Sequence, residues 1–204
     1  MYCPPAFAEN RPEIMAALIR DNPLGLLITA DAGGPCANAL PFELSADSKR
    51  LRAHLARANP QLDQIRAGHP VLVVFQGEQS YISPNYYATK PESGRVVPTW
   101  NYLMVQVNGA SRLHEDADWL GIQTEALTAQ MEAGQATPWS LSDAPDKFID
   151  AQLRGIVGLE IDITAMRGKW KASQNRLAAD RQSVADALVE THPTLAALAA
   201  QEIT

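Results

Sequence analysis

The sequence is poor in the features that mark metal centres, disulfide scaffolds and membrane spans. Its 204 residues include two cysteines, Cys3 and Cys36. Two cysteines cannot build a Cys-based metal site alone, and these two do not form a CxxC pair. The opening residues, Met1 to Pro5, show neither a basic n-region nor an apolar h-region. No signal peptide is expected there, and both thiols are expected reduced in a cytoplasm. No run approaches the ~20 apolar residues that a membrane helix needs. The four histidines, His54, His69, His114 and His192, are scattered without metal-ligand spacing. There is no P-loop, no GxGxxG and no GxSxG elbow, so Rossmann and hydrolase readings have no support. Positive charge is also scarce, with 17 Lys and Arg against 23 Asp and Glu and a formal net charge of -6. That excludes a protein whose whole surface grips nucleic acid, which needs clustered cations.

What is present is an ordinary globular composition, 46% hydrophobic and 20% charged. The length suits one domain over 1–204 with a core that needs no staple. Asn10, Pro12 and Glu13 read as a helix start, Ile14, Met15, Leu18 and Ile19 as its apolar face, and Pro23 as its stop. From there to about residue 112 the pattern is β. Strands are expected at 24–30, 36–44 and 51–57, separated by turns at 31–35 and 45–49. A short helix is expected next, capped by Asn59 with Pro60 at its first position and Gly68 at its end. Val71–Phe75 reads as a strand buried on both faces, continuing at 80–83 after a turn at Gly77. Residues 84–99 form a long polar loop. Trp100–Val107 is a strand, and Gly109 marks a bend. An acidic helix over 115–133 points Leu120, Leu127 and Met131 inward. A second helix runs from Pro145 to Leu153, a strand from Ile156 to Ile163, and a last helix from about Asp180 to Thr191. Helical segments thus fall at about 115–153 and 180–201. Many short strands closed by a late strand predict an antiparallel barrel with helices outside it.

Three stretches could carry chemistry. In His54-Leu55-Ala56-Arg57-Ala58-Asn59-Pro60-Gln61, a strand enters a capped helix, and helix N-terminal amides with an arginine fork suit a phosphate. A solvated Arg57 and a core His54 are the plainer alternative. Tyr81 to Tyr87 and Val97 to Tyr102 gather most of the tyrosines and a tryptophan with Ser, Asn and Thr between them. Such a mixture suits a flat ring or an aromatic interface. Lys90 in the loop between adds to a functional reading of that loop. Arg167 to Arg176 carries no acid in an acidic protein, which suits a small anion or a solvated loop.

These same stretches resemble the PaiB-type FMN-binding family. The similarity rests on the Met1-Tyr2 start, HLARANPQ at 54–61, FQG at 75–77, YISP at 81–84, VPTWNY at 97–102, IVGLEIDI at 156–163 and KWKASQN at 169–175. It covers essentially the whole chain in order. Members of that family are described as negative transcriptional regulators of sporulation and protease genes. The resemblance implies an FMN-binding split β-barrel, mainly β with peripheral helices, similar to pyridoxamine-phosphate oxidases and forming a homodimer. It places cofactor contacts at His54, Leu55, Ala56, Arg57, Asn59 and Gln61, at Ser83, Trp100 and Asn101, and at Lys169, Lys171, Ser173, Gln174 and Asn175. The phosphate is expected near Arg57 and the 59–62 backbone, with KWKASQN closing the site.

Two functions compete with a flavin-dependent oxidoreductase or sensor. One is direct repression through DNA, against which stand the missing helix-turn-helix and the acids Asp180, Asp186 and Glu190 on the last helix. The other is a haem-binding split barrel with His54 or His114 as axial ligand. A homodimer is expected to cover aromatic surface at Tyr86, Tyr87 and Trp100.

Overall fold

The computed structural model describes residues 1–201. In chain order the elements are β1 (Ala8–Glu9), α1 (Pro12–Asp21), β2 (Leu24–Asp31), β3 (Gly34–Pro41), β4 (Glu43–Leu44), β5 (Arg50–Ala56), α2 (Gln61–Arg66), β6 (Val71–Ile82), α3 (Lys90–Ser93), β7 (Thr99–His114), α4 (Ala117–Glu132), α5 (Asp146–Arg154), β8 (Ile156–Lys171), α6 (Ala178–Leu188) and α7 (Pro193–Ala200). The strands hydrogen-bond in the order β3-β2-β6-β7-β8-β5-β4, with β1 on β8. The printed registers, β2 with β3 and β6, β5 with β4 and β8, and β1 with β8, are all antiparallel. The mainly β architecture with helices matches the expectation.

The chain forms two compact units. The first comprises Met1–Leu18, Gln76–Val105 and the chain from Arg167; the second comprises Ile19–Phe75 and Gln106–Met166. In the second unit the core is built by alternation: Leu27 on β2, Leu51, Ala53 and Leu55 on β5, Val71, Val73 and Phe75 on β6 and Val157, Leu159 and Ile161 on β8 are all buried. Phe42 meets Phe75 edge-on at 5.6 Å. In the first unit, Met15 and Leu18 of α1, Leu103 and Val105 of β7, Trp170 of β8, and Val184, Leu188, Leu195 and Ala199 of the terminal helices are buried.

Several sequence expectations are corrected. β6 runs unbroken through Gly77 and β7 through Gly109. These glycines mark close packing instead. A Cβ on Gly109 would lie 2.3 Å from the Asp162 carbonyl oxygen, so this strand tolerates no side chain there. Val71–Phe75 is buried on one face and half-buried on the other, since Leu72 and Val74 lie on the outward side. β8 continues past Ile163 through the basic segment to Lys171, so half of that segment is strand rather than loop. Helix α2 begins at Gln61 with Pro60 at the cap position, one residue later than expected, and Asn59 stands just before it, its Oδ1 accepting from the Gln61 N–H at 2.9 Å. Met131 is 43% exposed instead of inward, because it sits at the frayed end of α4. The last helix divides at His192 into α6 and α7, and the 84–99 loop contains the short helix α3.

Candidate functional site

The expected cofactor residues fall in both units. In the second unit, HLARANPQ is already bonded within the chain. Leu55 is buried in the core of β5, and Ala56 is exposed at its end. The His54 Nδ1 lies 2.9 Å from the Gln123 Oε1, and Gln123 itself is 1% exposed. Arg57 donates from Nε to the Arg154 carbonyl at 3.0 Å, from one Nη to Glu115 at 2.7 Å and from the other to the Ile156 carbonyl at 3.0 Å. The guanidinium therefore clasps the β8 entrance, and it holds the Glu115 carboxyl below its ordinary range, with Arg66 assisting. Gln61 is buried and ties α2 to the β2–β3 hairpin. Its Nε2 donates to the Leu27 carbonyl at 3.2 Å and the Thr29 hydroxyl at 3.1 Å, while its Oε1 accepts from Asn38 at 2.9 Å. The cavity beside Arg57 contains Glu115, Asp150 and Arg154, and the Arg57 guanidinium is already held there by Glu115 and two carbonyls, so its fork is not free for a phosphate.

The first unit is different. Here β7, the end of β8 and the turn after it bring Thr99, Asn101, Lys171, Ser173, Asn175 and Arg176 around a small cavity of about 60 Å³. No carboxylate lines it. Lys171 Nζ donates to the Thr99 hydroxyl at 2.5 Å and also to the Trp100 carbonyl. Burial, then repulsion from Lys169 and Arg176, pushes the Lys171 ammonium below its ordinary pKa. Asn101 is 1% exposed, and its Nδ2 donates to the Ser173 Oγ at 3.0 Å. Ser173 sits in the left-handed region at φ 66, a conformation a serine holds only when its surroundings enforce it. Gln174 braces the same turn, accepting from the Ala172 N–H at 2.7 Å and donating to the Trp170 carbonyl at 2.6 Å. The Ser173, Gln174 and Asn175 N–H groups have no acceptor among the described residues, while the Arg176 N–H closes the turn on Ser173. Consecutive free amides beside two cations make an anion-binding concavity.

The remaining expected residues frame this pocket or serve elsewhere. Trp100 is 54% exposed and meets Tyr81 edge-on at 6.1 Å. Lys169 is buried against the Tyr2 and Tyr102 rings, 5.8 and 5.2 Å from their centroids, and donates to the Tyr2 carbonyl at 3.2 Å. Ser83 caps the following turn by accepting from the Asn85 N–H at 3.2 Å. Sequence reasoning missed Thr99 and Arg176 as pocket residues. Both adjoin stretches that were singled out, and Arg176 ends the acid-free run, which was the available signal. The two haem candidates are engaged: His54 with Gln123, and His114 stacked on Trp119 at 4.1 Å with 4° between planes. Among the described residues no group of three or more His, Cys, Asp or Glu could hold a metal ion.

The mostly antiparallel sheet with peripheral helices is the architecture of the split β-barrel proteins. Residues 1–165 match the family described as "Putative FMN-binding domain", and the chain belongs to that family, whose cofactor is FMN. It is 34% identical over 223 residues to an uncharacterized protein of Emericella nidulans, covering 90% of this chain and 88% of that one. It is 31% identical over 190 residues to the protease synthase and sporulation protein PAI 2 of Bacillus subtilis, covering 92% and 89%. Among solved structures it resembles the FAD and heme binding protein from Mycobacterium smegmatis, with a TM-score of 0.62 and 16% identity, covering 80% of this chain and 73% of that one. That likeness is one of fold.

Proposed function

We propose that this chain acts as a cytoplasmic, homodimeric FMN protein of the PaiB type, with the FMN phosphate in the Lys171 pocket. The observation that carries the placement is the pocket itself, lined by two cations and no carboxylate, beside a turn whose 173–175 N–H groups have no acceptor among the described residues. Bound FMN supplies one- and two-electron transfer through its isoalloxazine ring. The chain's own residues do the rest. Lys171 and Arg176 offset the phosphate charge, the 173–175 amides donate to its oxygens, and Asn101 keeps Ser173 in the turn that presents them. The exposed Trp100 offers an aromatic face next in the chain to Asn101.

The dimer reading rests on the second unit. Leu24, Leu26 and Ala30 on β2 and Pro35, Ala37 and Ala39 on β3 are exposed on one face, half-buried Ile28 lies between them, and Leu26 and Ile28 pair with Val74 and Leu72 of β6. This face holds no charge, so a second copy covers it better than water does. Of the aromatic surface expected from the sequence, Tyr87 is buried while Trp100 is 54% exposed, so the β2–β3 face is the broader apolar one.

Any regulatory effect of the kind that the Bacillus relative's name suggests is read as indirect, through a flavin-dependent oxidoreductase or sensor. Direct DNA binding has weak support, since the basic run includes a buried Lys169 and a half-buried Lys171 that are already engaged. The test compares FMN and riboflavin dissociation constants for wild type, Lys171→Met and Arg57→Ala. Losing a charge-assisted contact costs ~1.5–3 kcal/mol, so Lys171→Met weakens FMN about tenfold or more and leaves riboflavin nearly unchanged. Arg57→Ala changes both ligands alike. A selective loss of FMN in Arg57→Ala, with Lys171→Met unaffected, moves the phosphate to HLARANPQ.

A further inference from the structure

Charge is distributed unevenly along the chain. The first unit contains eight lysines and arginines against eight aspartates and glutamates, while the second carries the whole excess of acid. Within the first unit several acids are committed. Glu9 pairs with Arg11 at 2.5 Å, and Glu78 accepts from the start of α7. Asp180 accepts from both the Thr89 N–H and the Thr89 hydroxyl at 2.9 Å. Four of this unit's five arginines, Arg95, Arg167, Arg176 and Arg181, make no ion pair among the described residues, and Arg95 and Arg176 are two of these that line one cleft.

Both lie on an open cleft of about 410 Å³ that also includes Glu92, Val96, Leu177 and the committed Asp180. The cleft shares Asn175 and Arg176 with the Lys171 pocket. Arg176 is the divider between them, its guanidinium 4.8 Å over the Tyr87 ring. That ring is buried, and the Tyr87 hydroxyl has no hydrogen-bond partner among the described residues. Leu177 is 68% exposed, so an apolar wall borders the cations. A planar guanidinium fixed on an aromatic ring, with a second arginine across an open cleft, is suited to bidentate recognition of phosphate oxygens.

We propose that the Arg95–Arg176 cleft is a second phosphate subsite, adjoining the flavin-phosphate pocket and sharing Arg176 with it. The inference rests on the reading that places the FMN phosphate beside Lys171. The ligand chemistry is a phosphate joined to, or bound next to, the first: the second phosphate of a dinucleotide, or a free phosphate ester. Arg95 gives the subsite its affinity and is not part of the flavin pocket, so its removal separates the two sites. Glu92 opposes an anion there, so neutralising it strengthens binding.

The experiment is calorimetric titration of inorganic pyrophosphate into the FMN-loaded protein. Wild type is expected to bind one pyrophosphate per chain. Arg95→Ala weakens it at least tenfold while FMN affinity stays within twofold, and Glu92→Gln tightens it. FAD and a reduced nicotinamide dinucleotide are titrated in parallel to identify the source of the chemistry. FAD that displaces both FMN and pyrophosphate assigns the subsite to a flavin dinucleotide. A nicotinamide dinucleotide that displaces pyrophosphate and leaves FMN in place assigns it to a redox partner. No pyrophosphate binding, or equal binding by wild type and Arg95→Ala, overturns the proposal. Failure of Lys171→Met to affect FMN overturns the phosphate placement instead, and the Arg95 comparison reads out independently of it.

Discussion

At the scale of single residues, the same side-chain type serves opposite ends in the two units. Arg57 and Arg176 both follow a strand and lie near an asparagine, yet Arg57 has every donor direction filled and Arg176 makes no ion pair. The difference comes from Glu115, 58 positions away in sequence, which local reading cannot supply. Lys171 was legible because its neighbours carry no acid. The bond from Asn101 to Ser173 was not, since it joins strands 72 positions apart. Gln61 is the residue whose removal should be felt most in the second unit. Replacing it by leucine leaves the Leu27 carbonyl and the Thr29 hydroxyl short of a donor. A buried unsatisfied group costs about 1–3 kcal/mol. Gln61→Leu should therefore lower the thermal midpoint by several degrees, roughly what a loss of that size produces in a domain of this length. An unchanged midpoint in a calorimetric scan would show that the network carries no stability.

At the scale of elements, the chain's periodicity indicates the longer strands and helices in order, but it misses β1, α3 and α7 and joins β3 to β4, and its punctuation misled. Gly77 and Gly109 read as turns because glycine breaks strands more often than it packs them. Their real constraint is a neighbour: Leu18 and Leu103 for Gly77 and the Asp162 carbonyl for Gly109, none of them visible locally. The late α7 shows the converse. Its start is fixed from outside, where the Glu78 carboxylate accepts from the Thr194 N–H at 3.2 Å, the Thr194 hydroxyl at 2.5 Å and the Leu195 N–H at 3.0 Å. Burial alone would raise the Glu78 carboxyl, but the Thr194 hydroxyl and the two N–H groups outweigh it and hold it below the ordinary carboxylate range, with His192 contributing. A folded-state pKa below the unfolded one stabilises at pH above the unfolded value, and that contribution is lost as pH falls through the folded value. The protection factors of the α7 amides, with the intrinsic pH dependence of exchange divided out, should thus fall on acidification in wild type. In Glu78→Gln they should be lower at neutral pH and lose this pH dependence. Equal exchange in the two proteins at neutral pH would mean that α7 is held by its apolar contacts alone.

At the scale of the whole molecule, fold class and cofactor were legible because the motifs recur in order along nearly the full chain. The dimer face proposed on β2 and β3 differs from the aromatic surface of Tyr86, Tyr87 and Trp100 that the sequence suggests. Its signal, alternating small apolar residues on β2 and β3, is the same pattern that marks any half-buried strand. A single charge there should be decisive: Leu26→Asp is expected to give a folded 22.2 kDa monomer at micromolar concentration in analytical ultracentrifugation, where wild type sediments as a dimer. A wild-type monomer would contradict the assembly. The account's central claim is that this chain is an FMN protein whose pocket reads the phosphate. The most direct measurement is the absorption spectrum of the protein purified without added cofactor, followed by release of the chromophore and back-titration with FMN and riboflavin. The expected result is a flavin spectrum, FMN as the released compound, saturation at one FMN per chain and markedly weaker riboflavin binding. A colourless protein that takes up no FMN, or one that binds riboflavin as tightly as FMN, would contradict it.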